Sequence, residues 1–546
     1  MNYLARNLST ILLLLITQVN NFAQIQVGDT LDFWSVSYID WQAGSIPQRL
    51  ITATCNRVGD SCYFFIDTSA TAIPPQQQID DLVEAFDTDY AQNLTPIYGP
   101  IPDEFDNDRR IFILLVEPEG WTGYFDPAQQ MADSFVFGKW GKHSSEREII
   151  YISTDAFLYN VALFTLAHEF GHMLHWAQDH SPEPPVDPVK YWEDEWIDEA
   201  FAMFAGVYLM EDLTVPGVVD YNAFFATNPD LPLIYCISNY SYNQVKLWLT
   251  FMYEHYGGLD FISTLIQDQA NGIPGVGNTL GNLGYPETFE ESFQHWVLAN
   301  YLDDEAYQNG RYSYHHYNFP PCYVTAIHVN YPTELRTDSV SAYAADYVVF
   351  RTTSPKHIAI NFSGDSTSLF RLSFILTDFQ TNEVIAIHNI PLDSINGAIF
   401  SADSFGIVYD KITMVVMNVD SSLAEDASAQ YSYIANVTTG IAEDQEDVFE
   451  EHSLFSYLLT QNYPNPFNPS TTIEYTLPHS AYVHLTIYNT AGQEVRILID
   501  NYQKAGKQQV TWDGKDKFEK AAASGVYMYR LKADDFVQTR KMLLLR

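Results

Sequence analysis

The chain has 546 residues, of which 69 are acidic and 27 are basic, giving a formal net charge of -42. A protein this acidic lacks the basic surface that nucleic acid or an anionic membrane requires, so we expect neither as a partner. The length allows several domains, because a domain averages about 100–200 residues. The acidity would favour cations such as Ca²⁺, although no ligand spacing like that of an EF-hand is present.

The first residues have the pattern of an export signal. Arg6 precedes the apolar run Ile11–Ile16, and a small-residue cleavage site follows at Phe22–Gln24. Residues 1–23 are therefore predicted to be a secretory signal peptide, and the protein to be secreted or held at the cell surface. The run is much shorter than the roughly 20 residues that span a bilayer, and no later segment is long and apolar enough. We expect no stable membrane span in the mature form.

Two kinds of pattern follow the signal. Residues 24–75 contain short β-rich stretches, "FWSVSY" and "CYFFID", which predict a small N-terminal region that could be a pro-segment. Residues 76–328 mix helical patterns such as "QQQIDDLVEAFDTDYAQNL" with apolar strand patterns such as "RRIFILLVE" and "EREIIYIST". We predict an α+β domain over residues 76–328.

The most informative stretch is "TLAHEFGHMLHW", Thr165–Trp176, inside a long helical pattern. Positions four apart share one helix face, so His168 and His172 can direct their imidazoles at one point. Glu169 projects about 100° away from His168, near enough to hold a water molecule at a metal ion. This spacing indicates two zinc ligands and a general base. The alternative is a pair of structurally satisfied histidines on a buried helix.

A catalytic zinc ion needs a third protein ligand from another element. A third histidine ten residues after the first is absent, because that position is Gln178. His175 would lie along the same helix instead of across the metal ion. The predicted helix Asp194–Met210 offers Glu199, and Glu195, one turn earlier, is its rival for the ligand role or its second-shell partner.

The segment Trp196–Ala202, "WIDEAFA", resembles the second motif of the gluzincin metallopeptidases, the group that includes the thermolysin, aminopeptidase N and hyicolysin types. The resemblance implies a zincin-like fold in which Glu199 joins the two histidines as third zinc ligand. It departs from the thermolysin type at Met203, where an aspartate would orient one histidine, so a hyicolysin-like relative is nearer.

The implied activity is a zinc-dependent endopeptidase that acts on extracellular proteins or peptides. Zinc polarises the peptide carbonyl and activates water, and Glu169 serves as general base. We expect Tyr242 to donate to the developing oxyanion, with Tyr240 and His255 as neighbouring candidates ahead of and along the helical pattern Asn243–Tyr256. The predicted strand Glu148–Ser153 could pair with an extended substrate at the edge of the cleft.

The rest of the chain is predicted to be all-β. Residues 329–439 contain short strand patterns separated by polar turns, typical of an antiparallel sandwich, and residues 440–458 form an acidic linker. Residues 459–546, with "NYPNPFNPSTTIEYTLP", "VHLTIYNTAGQEVRIL", "ASGVYMYRL" and "TRKMLLLR", resemble the immunoglobulin-like sorting domain of type IX secretion cargo. This resemblance implies the type IX secretion machinery as a partner.

Two questions stay open in the sequence. Cys55 and Cys62 flank a turn-like stretch and could form a hairpin disulfide, leaving Cys236 and Cys322, but four cysteines allow three pairings. The rival function is a catalytically inactive cell-surface binding or adhesion protein built on a metallopeptidase scaffold. The complete set of metal and base residues argues against it.

Overall fold

The chain divides into two units, Met1–Tyr323 and Val324–Arg546, in the computed structural model. The first unit mixes helices with a sheet, and the second consists of β-sheets, so the protein is multidomain. The predicted signal peptide, residues 1–23, lies outside the described residues. The structure describes residues 25–36, 48–103, 108–117, 121–179, 193–210, 226–235, 241–315, 322–354, 356–378, 381–425, 427–438, 458–459, 462–477, 481–490, 492–504, 506–533 and 536–545.

The first unit contains one mixed sheet. Its strands are β1 (Thr30–Val36), β2 (Gln48–Val58), β3 (Cys62–Asp67), β4 (Ile111–Val116), β5 (Gly123–Phe125) and β6 (Ile149–Ser153). Their order across the sheet is β1-β2-β3-β4-β6-β5. Strand β4 runs parallel to both of its neighbours, β3 and β6. The other neighbouring pairs are antiparallel. Strands β3 and β4 are buried along their whole length, which explains their unbroken apolar sequences.

Two sequence expectations about this sheet need correction. The β-rich region 24–75 is not a separate layer, because β3 pairs with β2 on one side and with β4 on the other. An apolar strand such as β3 requires partners on both edges to satisfy its buried backbone. Strand β6 is not the edge of the sheet, because it lies between β4 and β5. Among the described residues, β5 forms the edge of the sheet on this side, and β1 forms the opposite edge.

Helices pack around the sheet, some lying between its strands in the chain and the others following its last strand. They are α1 (Gln76–Ala85), α2 (Ala91–Tyr98), α3 (Asp133–Trp140), α4 (Thr154–Leu158), α5 (Ala162–Asp179), α6 (Glu195–Met210), α7 (Ser241–His255), α8 (Leu259–Gln267), α9 (Gly272–Asn282) and α10 (Phe289–Leu302). Helix α10 begins with a capping box in which Thr288 and Glu291 satisfy each other's backbone N–H groups. Helix α5 follows β6 after the single turn of α4 and carries the histidine motif.

The second unit begins with a β-sandwich. Its strands are β7 (Ala326–His328), β8 (Arg336–Ser341), β9 (Ala344–Arg351), β10 (Lys356–Gly364), β11 (Phe370–Thr377), β12 (Val384–Ile390), β13 (Gly397–Phe405), β14 (Lys411–Asn418) and β15 (Ser428–Thr438). They form two sheets, β13-β10-β15-β8 and β12-β11-β14-β9-β7. Phe374 and Phe400, one from each sheet, stack with ring centroids 4.0 Å apart in the shared core. The sandwich begins three residues before the predicted boundary at 329, because β7 pairs with β9.

A smaller all-β domain ends the chain. Its strands are β16 (Leu458–Leu459), β17 (Thr471–Leu477), β18 (Ala481–Asn489), β19 (Glu494–Gln503), β20 (Gly506–Trp512), β21 (Gly525–Ala533) and β22 (Phe536–Leu544). The sheets β16-β17-β20 and β19-β18-β21-β22 share a core that contains the fully buried Trp512. Most of the predicted acidic linker, residues 440–458, lies outside the described residues, and its last residue belongs to β16.

The hairpin disulfide suggested by the sequence is absent, because Cys55 and Cys62 are free thiols. Cys55 lies opposite Phe65 and packs with it in the core on one side of the sheet. Side chains alternate along a strand, so Cys62 faces the other side from its neighbour Tyr63, which shares that core. Cys236 lies outside the described residues.

In the part of the chain that the structure describes, no helix is both long enough and apolar enough to cross a membrane.

Candidate metal centre

Helices α5 and α6 bring three potential metal ligands together. The imidazoles of His168 and His172 have ring centroids 4.8 Å apart and are nearly perpendicular. Oε2 of Glu199 lies 3.5 Å from Nε2 of His168 and 3.6 Å from Nε2 of His172. The ligand atoms of all three residues lie within 4.8 Å of one another, and the group could hold a metal ion.

The three side chains are largely buried, with exposed fractions of 14% for His168, 12% for His172 and 13% for Glu199. Burial, together with the neighbouring His172, lowers the pKa of His168 to about 4. Burial alone would also lower the pKa of His172, but the carboxylates of Asp198 and Glu199 outweigh it and hold that pKa well above its ordinary value. The position between these carboxylates therefore favours a positive charge.

Small residues let α5 and α6 approach closely enough to form this group. A Cβ at Gly171 would lie 2.9 Å from Cβ of Ala205 and 3.1 Å from Cα of Ala202. At the other end of the contact, a Cβ at Gly206 would lie 2.5 Å from the ring of Phe164. Since Gly171 lies between the two histidines in sequence, its missing side chain sets the distance between the histidines and α6.

Asp198 is the residue of the site that sequence reasoning missed. Its Oδ2 lies 2.9 Å from Nδ1 of His172, and its Oδ1 lies 2.7 Å from Nδ1 of His175. Although burial raises the pKa of Asp198, His172 and His175 outweigh burial and hold it well below its usual value. The thermolysin type has its orienting aspartate four residues after the third ligand, and Met203 stands there in this chain. The available signal was an aspartate directly before the third ligand in "WIDE".

Glu169, the predicted general base, lies beside the metal group and the edge strand. Its side chain is buried, with a residue exposure of 7%. The backbone N–H of Phe125 on β5 hydrogen-bonds its carboxylate. Burial raises the pKa of Glu169 to about 8, and this hydrogen bond together with His172 opposes the increase.

The open edge of β5 runs past Glu169. Ser153 N–H donates to the carbonyl of Thr122 at 2.9 Å. Because hydrogen-bonded and non-hydrogen-bonded pairs alternate in an antiparallel ladder, the backbone groups of Gly123 and Phe125 point away from β6. A Cβ at Gly123 would lie 2.3 Å from Cγ2 of Thr165 and 3.3 Å from Cγ of Glu169, so only glycine lets the strand pass this close to α5.

Of the other residues predicted for the site, Tyr242 lies near the metal group, whereas His255 and Glu195 do not belong to it. Tyr242 lies in the first turn of α7, and its ring centroid is 6.3 Å from that of His168. His255 lies at the far end of α7, where its Nε2 is 2.9 Å from the carbonyl of Ser313. Glu195 is exposed and does not belong to the metal group. Tyr240 lies outside the described residues.

Comparisons with known proteins concern the C-terminal domain most directly. Residues 468–535 match the sequence model of the FlgD Ig-like domain family, in agreement with the two small sheets found there. This match covers a minor part of the chain. No curated protein matches the sequence.

The solved structures that match this chain resemble it only weakly. PorZ of Porphyromonas gingivalis, an essential surface component of its type IX secretion system, is 17% identical with a TM-score of 0.13, covering 21% of this chain and 14% of PorZ. Latent PorU of the same organism is 15% identical with a TM-score of 0.16, and the match covers 35% of this chain and 18% of PorU. The pre-peptidase C-terminal domain of a Bacillus anthracis collagenase is 14% identical with a TM-score of 0.16, covering 21% and 100%. The matched part spans less than a fifth of PorZ or PorU, and nothing about function follows from such scores.

Proposed function

We propose that this chain is a secreted zinc-dependent endopeptidase with a zincin-like catalytic domain. The observation that carries the proposal is the convergence of His168, His172 and Glu199, from two separate helices, on one point with their ligand atoms within 4.8 Å of one another. Two motifs far apart in sequence have no reason to meet in this way unless they share a ligand.

The donor set suits zinc. Zinc takes imidazole nitrogens and carboxylate oxygens at about 2.0–2.2 Å in a tetrahedral arrangement, so ligands of one ion lie about 3.3–3.6 Å apart. The two distances from Glu199 to the imidazole nitrogens, 3.5 and 3.6 Å, agree with this spacing. Three protein ligands also leave a fourth position for solvent, as catalytic sites require. When bound, the ion would act as a Lewis acid that polarises the substrate carbonyl and activates water.

Glu169 has the position that proton transfer requires. It follows His168 directly in the chain, and the N–H of Phe125 fixes its carboxylate at the rim of the group. In this role Glu169 would accept a proton from the attacking water and deliver it to the leaving amine. Tyr242, whose ring lies 6.3 Å from that of His168, would donate its hydroxyl proton to the developing oxyanion.

Strand β5 supplies a place for the peptide. The outward backbone groups of Gly123 and the outward carbonyl of Phe125 can pair with an extended chain by β-augmentation. A peptide bound there would run alongside Glu169, because the same strand contacts that residue. This assignment replaces the expected pairing through Glu148–Ser153, whose strand is enclosed on both sides.

The C-terminal domain is proposed to direct export. The motifs between residues 459 and 546 resemble the type IX sorting domain, and the observed fold, two small β-sheets around Trp512, suits an immunoglobulin-like module. With the signal peptide predicted over residues 1–23, this gives a secreted or cell-surface location and the type IX machinery as a partner.

The decisive experiment compares the purified full chain with its Glu169→Gln variant. We expect about one zinc ion per chain in both, and casein hydrolysis by the wild type that a chelator abolishes and added zinc restores. Loss of the general base should reduce the rate by about 10²- to 10⁴-fold while zinc content is unchanged. A chain without stoichiometric zinc, whose behaviour Glu169→Gln does not alter, would instead favour the binding or adhesion protein.

A further inference from the structure

The carboxylate of Asp198 lies between two imidazoles of α5. Oδ2 faces Nδ1 of His172 at 2.9 Å, and Oδ1 faces Nδ1 of His175 at 2.7 Å. His172 belongs to the metal group, whereas His175 lies one turn further along the helix and contributes nothing to that group. Both oxygens of Asp198 are therefore engaged, one toward a ligand and one away from it.

His175 is held firmly in this position. Its residue exposure is 2%, and its ring packs against that of Phe201 with centroids 4.6 Å apart. A carboxylate offers only acceptors, so Nδ1 of His175 must be the donor in its contact with Asp198. A donor fixed by burial and ring packing leaves the carboxylate little freedom to rotate.

The contact with Asp198 also decides which nitrogen of His172 could bind a metal ion. Since Oδ2 of Asp198 can only accept, Nδ1 of His172 carries a proton, and Nε2 is the nitrogen left for a metal ion. Nε2 is the atom that faces Glu199 at 3.6 Å. Rotation of the Asp198 carboxylate would loosen this ring orientation and tautomer. His175 prevents that rotation.

We propose that His175 is a positioning residue that acts through Asp198 to hold His172 in its ligand geometry and so strengthens metal binding. The proposal rests on the metal site of the proposed function. It assigns to this chain a three-residue relay, His175 to Asp198 to His172, in which the outermost histidine never touches the metal ion.

The test uses metal-free full-length protein titrated with Zn²⁺ against a chromophoric chelator. His175→Phe keeps an aromatic ring against Phe201 but removes the donor, and we expect it to weaken zinc affinity about 10- to 100-fold, the usual cost of losing an outer-shell partner. His175→Asn keeps an amide donor near the position of Nδ1 and should stay within about threefold of wild type. The visible absorption of the Co²⁺-loaded protein should shift in His175→Phe and not in His175→Asn.

A matched control is His295→Phe. His295 is also buried, with 8% exposure, and hydrogen-bonds through Nδ1 to Tyr256 at 2.9 Å, but it lies on α10 outside the metal group. This variant should bind zinc like wild type even if its melting temperature falls.

The outcomes separate the two proposals. A wild-type chain that binds no zinc overturns the proposed function itself. If wild type binds zinc and His175→Phe binds it equally well, the positioning role is wrong and the metal site stands. If His175→Asn is as weak as His175→Phe, a retained donor does not restore zinc binding, and the positioning role through Nδ1 is wrong.

Discussion

Gly171 lies so close to Ala202 that a Cβ on the glycine would come within 3.1 Å of the alanine Cα. This contact joins the helix that carries both histidines to the helix that carries Glu199. The site therefore depends on a missing side chain as much as on the ligands that are present. A change in this contact should alter metal binding without touching any ligand.

Gly171→Ala should push α5 and α6 apart, because the new methyl group would meet Cβ of Ala205 at 2.9 Å. Overpacking of this kind costs about 1–3 kcal/mol of stability, and the separation should also weaken zinc affinity. Calorimetry and zinc titration measure the two effects. Gly277→Ala in α9 is the control, since no atom lies within 4 Å of its Cβ position and alanine should add roughly 0.5–1 kcal/mol. Unchanged zinc affinity in Gly171→Ala would contradict the prediction.

Glu199→Ala and Glu195→Ala form a matched pair one helical turn apart. Glu199 belongs to the metal group, whereas Glu195 is exposed and outside it. Loss of a residue that only supports a metal ligand weakens metal binding by at most roughly 100-fold. We expect Glu199→Ala, which removes a ligand, to reduce zinc affinity by more than this, and Glu195→Ala to have little effect. Metal content after dialysis gives a direct readout. The reverse result would transfer the ligand role to Glu195.

Tyr242→Phe tests the oxyanion donor. Loss of one such donor lowers kcat by about 10²- to 10³-fold, and KM should change little because the hydrogen bond strengthens only in the transition state. Steady-state kinetics on a peptide substrate separate the two constants. Tyr253→Phe on the same helix is the control, since that ring packs against Phe204 and not against a histidine of the group. Equal kcat in Tyr242→Phe and wild type would remove Tyr242 from the mechanism.

Asp346 gives the sandwich domain a pH-dependent stability. The residue is 5% exposed and accepts hydrogen bonds from Thr325 and Tyr431, each at 2.8 Å. Burial raises its pKa from 3.8 to about 6. A raised pKa in the folded state means that its contribution is fully present below pH 3.8 and is lost as the pH rises through about 6, a change of about 3 kcal/mol.

Asp346→Asn should therefore remove this decline between about pH 4 and 6 in unfolding measurements. The exposed Glu425 supplies the control, and Glu425→Gln should keep the wild-type slope. A variant at 346 with an unaltered slope would show that the buried carboxyl is not its source.

Local spacing predicts the part of the metal group on α5, whereas Glu199 on α6 was expected from a motif resemblance and Asp198 was not expected at all. The spacing of His168 and His172 fixes a shared helix face without knowledge of the fold. The contact between Asp198 and His172 depends on how α5 meets α6, which no local pattern reports. For that reason the sequence showed at Met203 that the thermolysin-type carboxylate is missing, but it did not identify Asp198 in its place.

The fold shows the same division. The strand patterns of β1 to β3 are visible in sequence, but their membership of the main sheet depends on the parallel pairing of β3 with β4, which are separated by two helices. The turn between Cys55 and Cys62 is also local, but whether the two cysteines pair, which the sequence left open, depends on which side of the sheet each thiol faces.

The pairing of β3 with β4 has a consequence for maturation. Proteolytic removal of the N-terminal region as far as residue 75 would remove three of the six strands from this sheet. The wholly apolar strand β4 would then be an unpaired, exposed edge. Such an edge invites aggregation. Any proteolytic maturation compatible with this architecture must cut upstream of Thr30, and the first strands are a permanent part of the folded domain.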